Sequence, residues 1–139
     1  MSLCKACVSG VLHEGEATGT IEIINGVKCY IGKPAGDYPK NKALVFLPDA
    51  FSIELNNNKL LVDAYAKNGF YTVAIDILDG DAVPADDMNM RSFDFKAWIV
   101  NHGYEKTKGI TDAAIKGLKD QGFESFGAVV SDMLSEILP

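Results

Sequence analysis

Two apolar runs bracket an amphipathic stretch at the centre of the chain. Ala43, Leu44, Val45, Phe46 and Leu47 follow one another without a polar break, and so do Val73, Ala74 and Ile75. A short strand reads this way when both of its faces are covered. Strands are therefore expected over residues 42–47 and 71–76. Between them Leu60, Leu61, Ala64 and Tyr65 recur at helical spacing, which predicts an amphipathic helix over residues 55–68. Asn68-Gly69 ends it, because glycine enters the left-handed conformation at a helix terminus without a steric penalty. Strand, helix and strand in this order form a parallel crossover unit. Ligands in such sheets collect at the carboxyl ends of the strands, which directs attention to residues 49–52 and 76–81.

The flanking pattern extends the sheet on both sides. Two β-rich runs, residues 20–24 and 27–31, surround Asn25-Gly26. A type I′ turn needs positive φ at both central residues, so this pair predicts a hairpin. Residues 33–40 read as a loop from their prolines and glycine. Residues 79–87 form an acidic loop whose carboxylates are expected to be solvated. Ser92 is placed to cap a helix reaching Asn101, with Phe93, Ala97 and Val100 on its buried face, and His102-Gly103 stops it. A longer helix is expected over residues 107–121, with Ile110, Ala113, Ala114 and Leu118 facing inward and Gly122 at its end. Residues 125–130 read as another buried strand. No repeat, low-complexity tract or linker separates two domains. The class is α/β: a β-hairpin plus a mainly parallel sheet with flanking helices.

Composition narrows the partners. The chain has 139 residues, 47% of them hydrophobic and 23% charged, with a formal net charge of −6. An acidic chain without a basic run gives no electrostatic reason to bind nucleic acid or an anionic membrane. No apolar run reaches membrane-spanning length, and the first residues lack the apolar core of a signal peptide. Three cysteines, an odd number, argue against a disulfide framework. The expected setting is the reducing cytoplasm.

Several motifs admit both a chemical and a plain reading. Cys4 and Cys7 form a C-x-x-C, but only His13 and Cys29 are at hand to complete a metal site, and a redox pair usually opens a helix after a strand. The plain reading is two small half-buried side chains and a surface histidine. Asp76 and Asp79 are spaced one residue too far apart for a D-x-D-G phosphatase motif, and the calcium-loop register is absent. The turn after the first central strand has no glycine, which disfavours a dinucleotide site. There is no P-loop and no G-x-S-x-G or G-x-C-x-G elbow. Asp49 follows a buried strand at the ligand edge. It can orient a nucleophile or water, or it can serve an Asx-type turn.

The chain resembles the dienelactone hydrolase family, in its fungal form. The resemblance is carried by Cys7 to Gly10, His13 to Gly15, Leu47-Pro48-Asp49-Ala50-Phe51, Asn57 to Leu61, Asp63 to Lys67 with Gly69-Phe70, and Asp76 to Asp81 with Pro84. It spans about residues 4–129. It implies the N-terminal half of an α/β-hydrolase fold, with the hairpin at one edge and residues 125–130 as the strand leading to the nucleophile elbow. It also implies hydrolysis of small esters or lactones by a Cys-His-Asp triad, with no metal and no organic cofactor. Asp49 matches a glutamate that contacts the nucleophile in bacterial members. The backbone N–H of Ala50 matches one half of the oxyanion hole. Ser52 stands where the family usually has glycine.

The departure from the family comes at the end. Where members continue into Gly-x-Cys-x-Gly, this chain has Val130, Ser131, Asp132, Met133 and Leu134. Asp132 takes the nucleophile's place, Val130 and Leu134 replace both glycines, and the triad Asp and His have no counterpart here. Cys4, Cys7 and Cys29 precede the central unit, and His13 and His102 match no triad position. Residues 1–129 thus form the family-like domain, and residues 130–139 a divergent tail. The chain is expected to be truncated before the elbow, with the tail a translated intron; a spliced message ending here would refute that. Two functions stand: an ester or lactone hydrolase, inactive in this form, or a non-enzymatic truncated isoform or interaction module. An uncovered strand at residues 126–130 is expected to self-associate.

Overall fold

Asn25 and Gly26 both adopt positive φ, 48° and 80°, and turn β1 (Thr20–Ile24) back onto β2 (Val27–Gly32) with Ile24 opposite Val27. The hairpin joins β3 (Lys42–Leu47), β4 (Thr72–Ile75) and β5 (Ser125–Val130) in one sheet of order β1-β2-β4-β3-β5. β4 and β5 flank β3 and run parallel to it, while β2 is antiparallel to β4. This computed structural model describes residues 15–48, 51–83 and 93–130. The expected hairpin edge, crossover unit and late strand all stand in it. β4 is buried at every position, whereas β5 is mostly exposed and has no strand on its outer side among the described residues. The expectation of a buried strand there is corrected, because no described helix covers it.

Helices pack on both faces. α1 (Asn56–Lys67) lies over Tyr30, Phe46 and Ala74, where Val62 and Ile53 complete a core. Its buried stripe is Leu60, Val62, Asp63 and Ala66, while Leu61, Ala64 and Tyr65 are only half-buried. The stripe is rotated from the expected one because Asp63 is satisfied inside. Tyr30 Oη donates to Asp63 Oδ1 at 2.8 Å, and the Thr18 amide donates to Oδ2 at 2.8 Å. Gly69, with φ of 94°, follows the helix as its stop.

On the opposite face α2 (Phe95–Val100) and α3 (Tyr104–Asp120) cover a larger core built on Cys29, Ile31, Val45, Val73 and Ile75. α3 buries Ala114 and Leu118 fully and Ile110 and Ala113 partly, as its periodicity required, but it begins three residues earlier than expected. α2 departs more. Ser92 lies outside the described residues, and the cap is Asp94, whose carboxylate accepts from the Ala97 amide at 3.2 Å. Trp98 is the residue that α2 buries, while Ala97 is exposed and Val100 is 82% exposed. A single large ring decides the orientation of a helix this short.

Three acidic protons are held tightly by the two cores, those of Cys29 and Tyr71 in the larger and that of Tyr30 under α1. Burial lifts the Cys29 thiol from its ordinary 9.0 to about 12, helped by the charge of Asp76. Burial and the hydrogen bond to Asp63 lift Tyr30 from 10.0 to about 12, and burial lifts Tyr71 likewise. The folded state therefore binds protons more strongly than the unfolded chain. The stability from these groups is complete below pH 9 and is lost as pH rises toward 12. Urea unfolding followed across this range is expected to show that fall. Cys29→Ala should remove the part that starts first, near pH 9; a flat profile to pH 11 would contradict the assignment.

Candidate functional site at the carboxyl end of the sheet

β3, β4 and β5 end on the same side of the sheet, and antiparallel β2 begins there. β3 runs into Pro48, which is fully buried. Asp49 and Ala50, the expected acid and oxyanion donor, follow in sequence and lie outside the described residues. Beyond them Phe51 is buried, and Ser52 is 1% exposed with φ of 57°. A side chain in this left-handed region costs about 1–2 kcal/mol. Ser52 opens a 3-10 turn, Ser52–Glu54, that leads into α1.

The two strand ends singled out in the sequence meet here. Ser52 Oγ donates to Asp76 Oδ1 at 2.9 Å, and Asn58 Nδ2 donates to the Ser52 carbonyl at 2.7 Å. Asp76 is buried. Its Oδ1 also accepts from the Leu78 amide at 3.3 Å, and its Oδ2 from the Gly80 amide at 2.8 Å. These donors replace the water that a buried carboxylate gives up. The Asp76 amide donates to the Lys28 carbonyl at 3.0 Å. Lys28 Nζ lies 3.2 Å from Glu54 Oε1, an exposed ion pair that ties the 3-10 turn to β2. A hollow of about 340 Å³ opens beside this network, lined by Val27, Lys28, Asp76, Asp79, Lys106 and Ile110.

Asp79 and Asp81 are exposed, as expected. Asp81 Oδ2 lies 2.7 Å from His102 Nε2. The His102 side chain is 1% exposed and packs against Trp98, with ring centroids 4.7 Å apart. His102 is thus a core residue tied to the loop after β4, a role its helix-stop position did not reveal. Cys29 is wholly buried in the sheet, and its raised pKa makes it a poor nucleophile. Cys4, Cys7, His13, Pro84, Ser131 and Asp132 lie outside the described residues. Among the described residues no group of three or more His, Cys, Asp or Glu side chains is placed to hold a metal. The Ser52–Asp76 bond, Asn58 and the Lys28–Glu54 pair went unread in the sequence. The one available signal was a serine at a glycine-like turn position.

Residues 27–131 match the model of the Dienelactone hydrolase family. Among curated proteins the chain is 41% identical over 99 residues to Dienlactone hydrolase 1 of Gibberella moniliformis, covering 69% of this chain and 38% of that protein. It is 36% identical over 119 residues to Dienlactone hydrolase 2 of the same organism, covering 81% and 47%. It is 32% identical over 126 residues to the hydrolase pyvD of Aspergillus violaceofuscus, covering 90% and 50%. The chain therefore spans half or less of the length of these relatives. No solved structure matches it.

Proposed function

The chain belongs to the dienelactone hydrolase family, whose members are α/β-hydrolases, and from that membership we propose that it supplies one half of an ester- or lactone-hydrolysing site. In this reading Asp49 is the acid beside the nucleophile, and the Ala50 N–H is one of two oxyanion donors. The substrate is a small ester or lactone, the chemistry needs no metal or organic cofactor, and the setting is the cytoplasm. Among the described residues no helix is long and apolar enough to cross a membrane.

The observation that supports this most is the register of β5 on β3. Their last pair is Leu47 with Val130, so the chain leaves both strands at one point on the sheet. A nucleophile elbow after β5 would follow the same end of the sheet from which β3 runs into Pro48. Residues 130–134 of this chain do not carry the Gly-x-Cys-x-Gly sequence of such an elbow. We accordingly expect the 139 residues alone to be inactive. The second reading, a non-enzymatic interaction module, draws on the exposed β5 edge, whose apolar residues 126–130 carry no charge or proline to discourage pairing.

One preparation tests both. The 139-residue chain is expected to leave p-nitrophenyl acetate at its background rate. Turnover that disappears in Asp49→Ala would overturn the inactive half-site. On gel filtration the chain is expected to elute as a dimer or larger species; a monodisperse monomer with a cooperative melt would exclude pairing through β5.

A further inference from the structure

We propose that the edge of β5 is filled by a second copy of the chain, paired antiparallel about a two-fold axis at Ala128. This pairing rests on the reading of β5 as an interaction edge given above and names its partner. Successive residues of a strand turn their N–H and C=O groups to alternate sides. The Ser125 amide donates to the Asn41 carbonyl at 3.1 Å, and Ser125 stands opposite Lys42. Ser125, Gly127 and Val129 therefore bond toward β3. The other flank of β3 has the matching phase: the Leu44 amide donates to the Tyr71 carbonyl at 2.8 Å, which leaves Ala43, Val45 and Leu47 to face β5. Phe126, Ala128 and Val130 thus present their amides and carbonyls outward, where no described strand meets them.

That phase selects one register. Two identical edges close on each other only under a two-fold axis, and with side chains kept on their own faces the axis makes the strands antiparallel. In an antiparallel ladder the residues that exchange both bonds stand directly opposite each other. An axis at Ala128 sets Ala128 against itself and Phe126 of one copy against Val130 of the other, so every outward group of both strands is bonded. An axis at Gly127 leaves Val130 unmatched within β5, and one at Val129 leaves Phe126 unmatched. The side chains fit the same register. Phe126 packs against the larger core and Val129 against the core under α1. Phe126 therefore meets Val130, which is 46% exposed, on one face. On the other face Val129 meets Gly127, where no side chain competes for the space. An apolar hollow of about 520 Å³, lined by Leu44, Phe70, Phe126 and Gly127 among others, opens beside this pair. β5 holds no charged residue, so two copies bring no like charges together. The opposite edge, β1, carries Glu22, paired with Lys33 at 3.6 Å, and such a charge discourages strand addition. A strand of this length covers about 20 Å of ladder and roughly 400 Å² on each copy, half of what a stable complex buries. The dimer is accordingly one that dissociates on dilution.

Sedimentation velocity and amide hydrogen exchange of the 139-residue chain, run from dilute to concentrated solution, test the register. As the dimer forms, exchange at Phe126, Ala128 and Val130 is expected to slow about tenfold, while Gly127 and Val129, already bonded to β3, change far less. Ala128→Pro removes the central amide of each copy and should weaken the dimer about tenfold or more. The monomer keeps its own ladder, because that amide does not face β3. Ala128→Lys guards against a proline that disturbs β5: position 128 is exposed, and two like charges set opposite each other should also weaken the dimer. Ile23→Lys, at a 66% exposed position of β1, should leave it intact. A monomer at every concentration overturns both the pairing through β5 and the two-fold proposed here. A dimer lost in Ile23→Lys places the contact on β1 and overturns both as well. A dimer whose new protection omits Phe126 or Val130, or one that survives both Ala128 variants, overturns the register alone. Growth into filaments would mean a contact that does not close, which overturns the two-fold.

Discussion

Gly117→Val is expected to lower the unfolding free energy by about 3 kcal/mol, whereas Gly109→Ala, two turns earlier on the same helix, should raise it by up to about 1 kcal/mol. Glycine inside a helix is unfavourable relative to alanine by about that smaller amount, so an open position gains from the change. Gly109 is such a position, with nothing within 4 Å of where a Cβ would be. At Gly117 a Cβ would meet Ile24 Cγ2 at 2.6 Å, Asn25 Cβ at 2.9 Å and the Asn25 backbone N at 3.3 Å. Ile24 is buried, and its Cγ2 sits on a branched Cβ that moves only by a rotamer change within the core. Asn25 cannot yield as easily, because it occupies the first left-handed position of the hairpin turn, and its Nδ2 donates to the Ala113 carbonyl of α3 at 2.9 Å. A side chain at 117 therefore has to lever the helix off the hairpin, and the packing loss outweighs the helix-propensity gain. Urea unfolding of both variants checks the contrast. Changes of the same sign would mean that α3 does not cross the hairpin closely enough for a side chain at 117 to clash.

How much of this was legible in the sequence depends on the range over which each residue finds its partner. β3 and β5 have the bounds expected for them, because unbroken apolar runs between turn residues leave few choices. The hairpin followed from two adjacent residues, Asn25 and Gly26, whose backbone preference is local. The capping of α2 was harder: Ser92 and Asp94 are both good N-cap residues, and the position of Trp98 in the core decides between them. Buried carboxylates were out of reach. Asp63 is satisfied by Tyr30 and Thr18, and Asp76 by Ser52, residues that lie 24 to 45 positions away. Periodicity reads a polar residue as solvent-facing and has no means of pairing it at that distance. The same limit applied at the site. Both strand ends were identifiable, but the bond joining Ser52 to Asp76 exists only once β3 and β4 are paired.

Asp76→Ala is expected to lower the unfolding free energy by about 3 kcal/mol, with Asp76→Asn costing about half as much. The carboxylate accepts three donors, the Ser52 hydroxyl and the amides of Leu78 and Gly80. Hydrogen bonds to a charged group contribute about 1.5–3 kcal/mol each, yet they cannot be added in full. The 3.3 Å bond from Leu78 is long, and the space left by alanine can admit water to some of the stranded donors. Asparagine keeps one acceptor oxygen and turns an NH₂ toward one donor, so it preserves part of the network. Glu54→Ala makes a useful contrast at the same edge. It breaks only the exposed pair with Lys28, and such pairs lose most of their strength to solvent, so its effect should be far smaller. Urea unfolding of the three variants orders them. A loss below about 1 kcal/mol in Asp76→Ala would mean that water replaces the carboxylate almost completely. The bond from Ser52 to Asp76 could not then offset a left-handed conformation that itself costs about 1–2 kcal/mol. Stability and the left-handed turn at Ser52 are thus bound to one side chain, and the size of the Asp76→Ala loss sets an upper limit on how firmly that turn can be held.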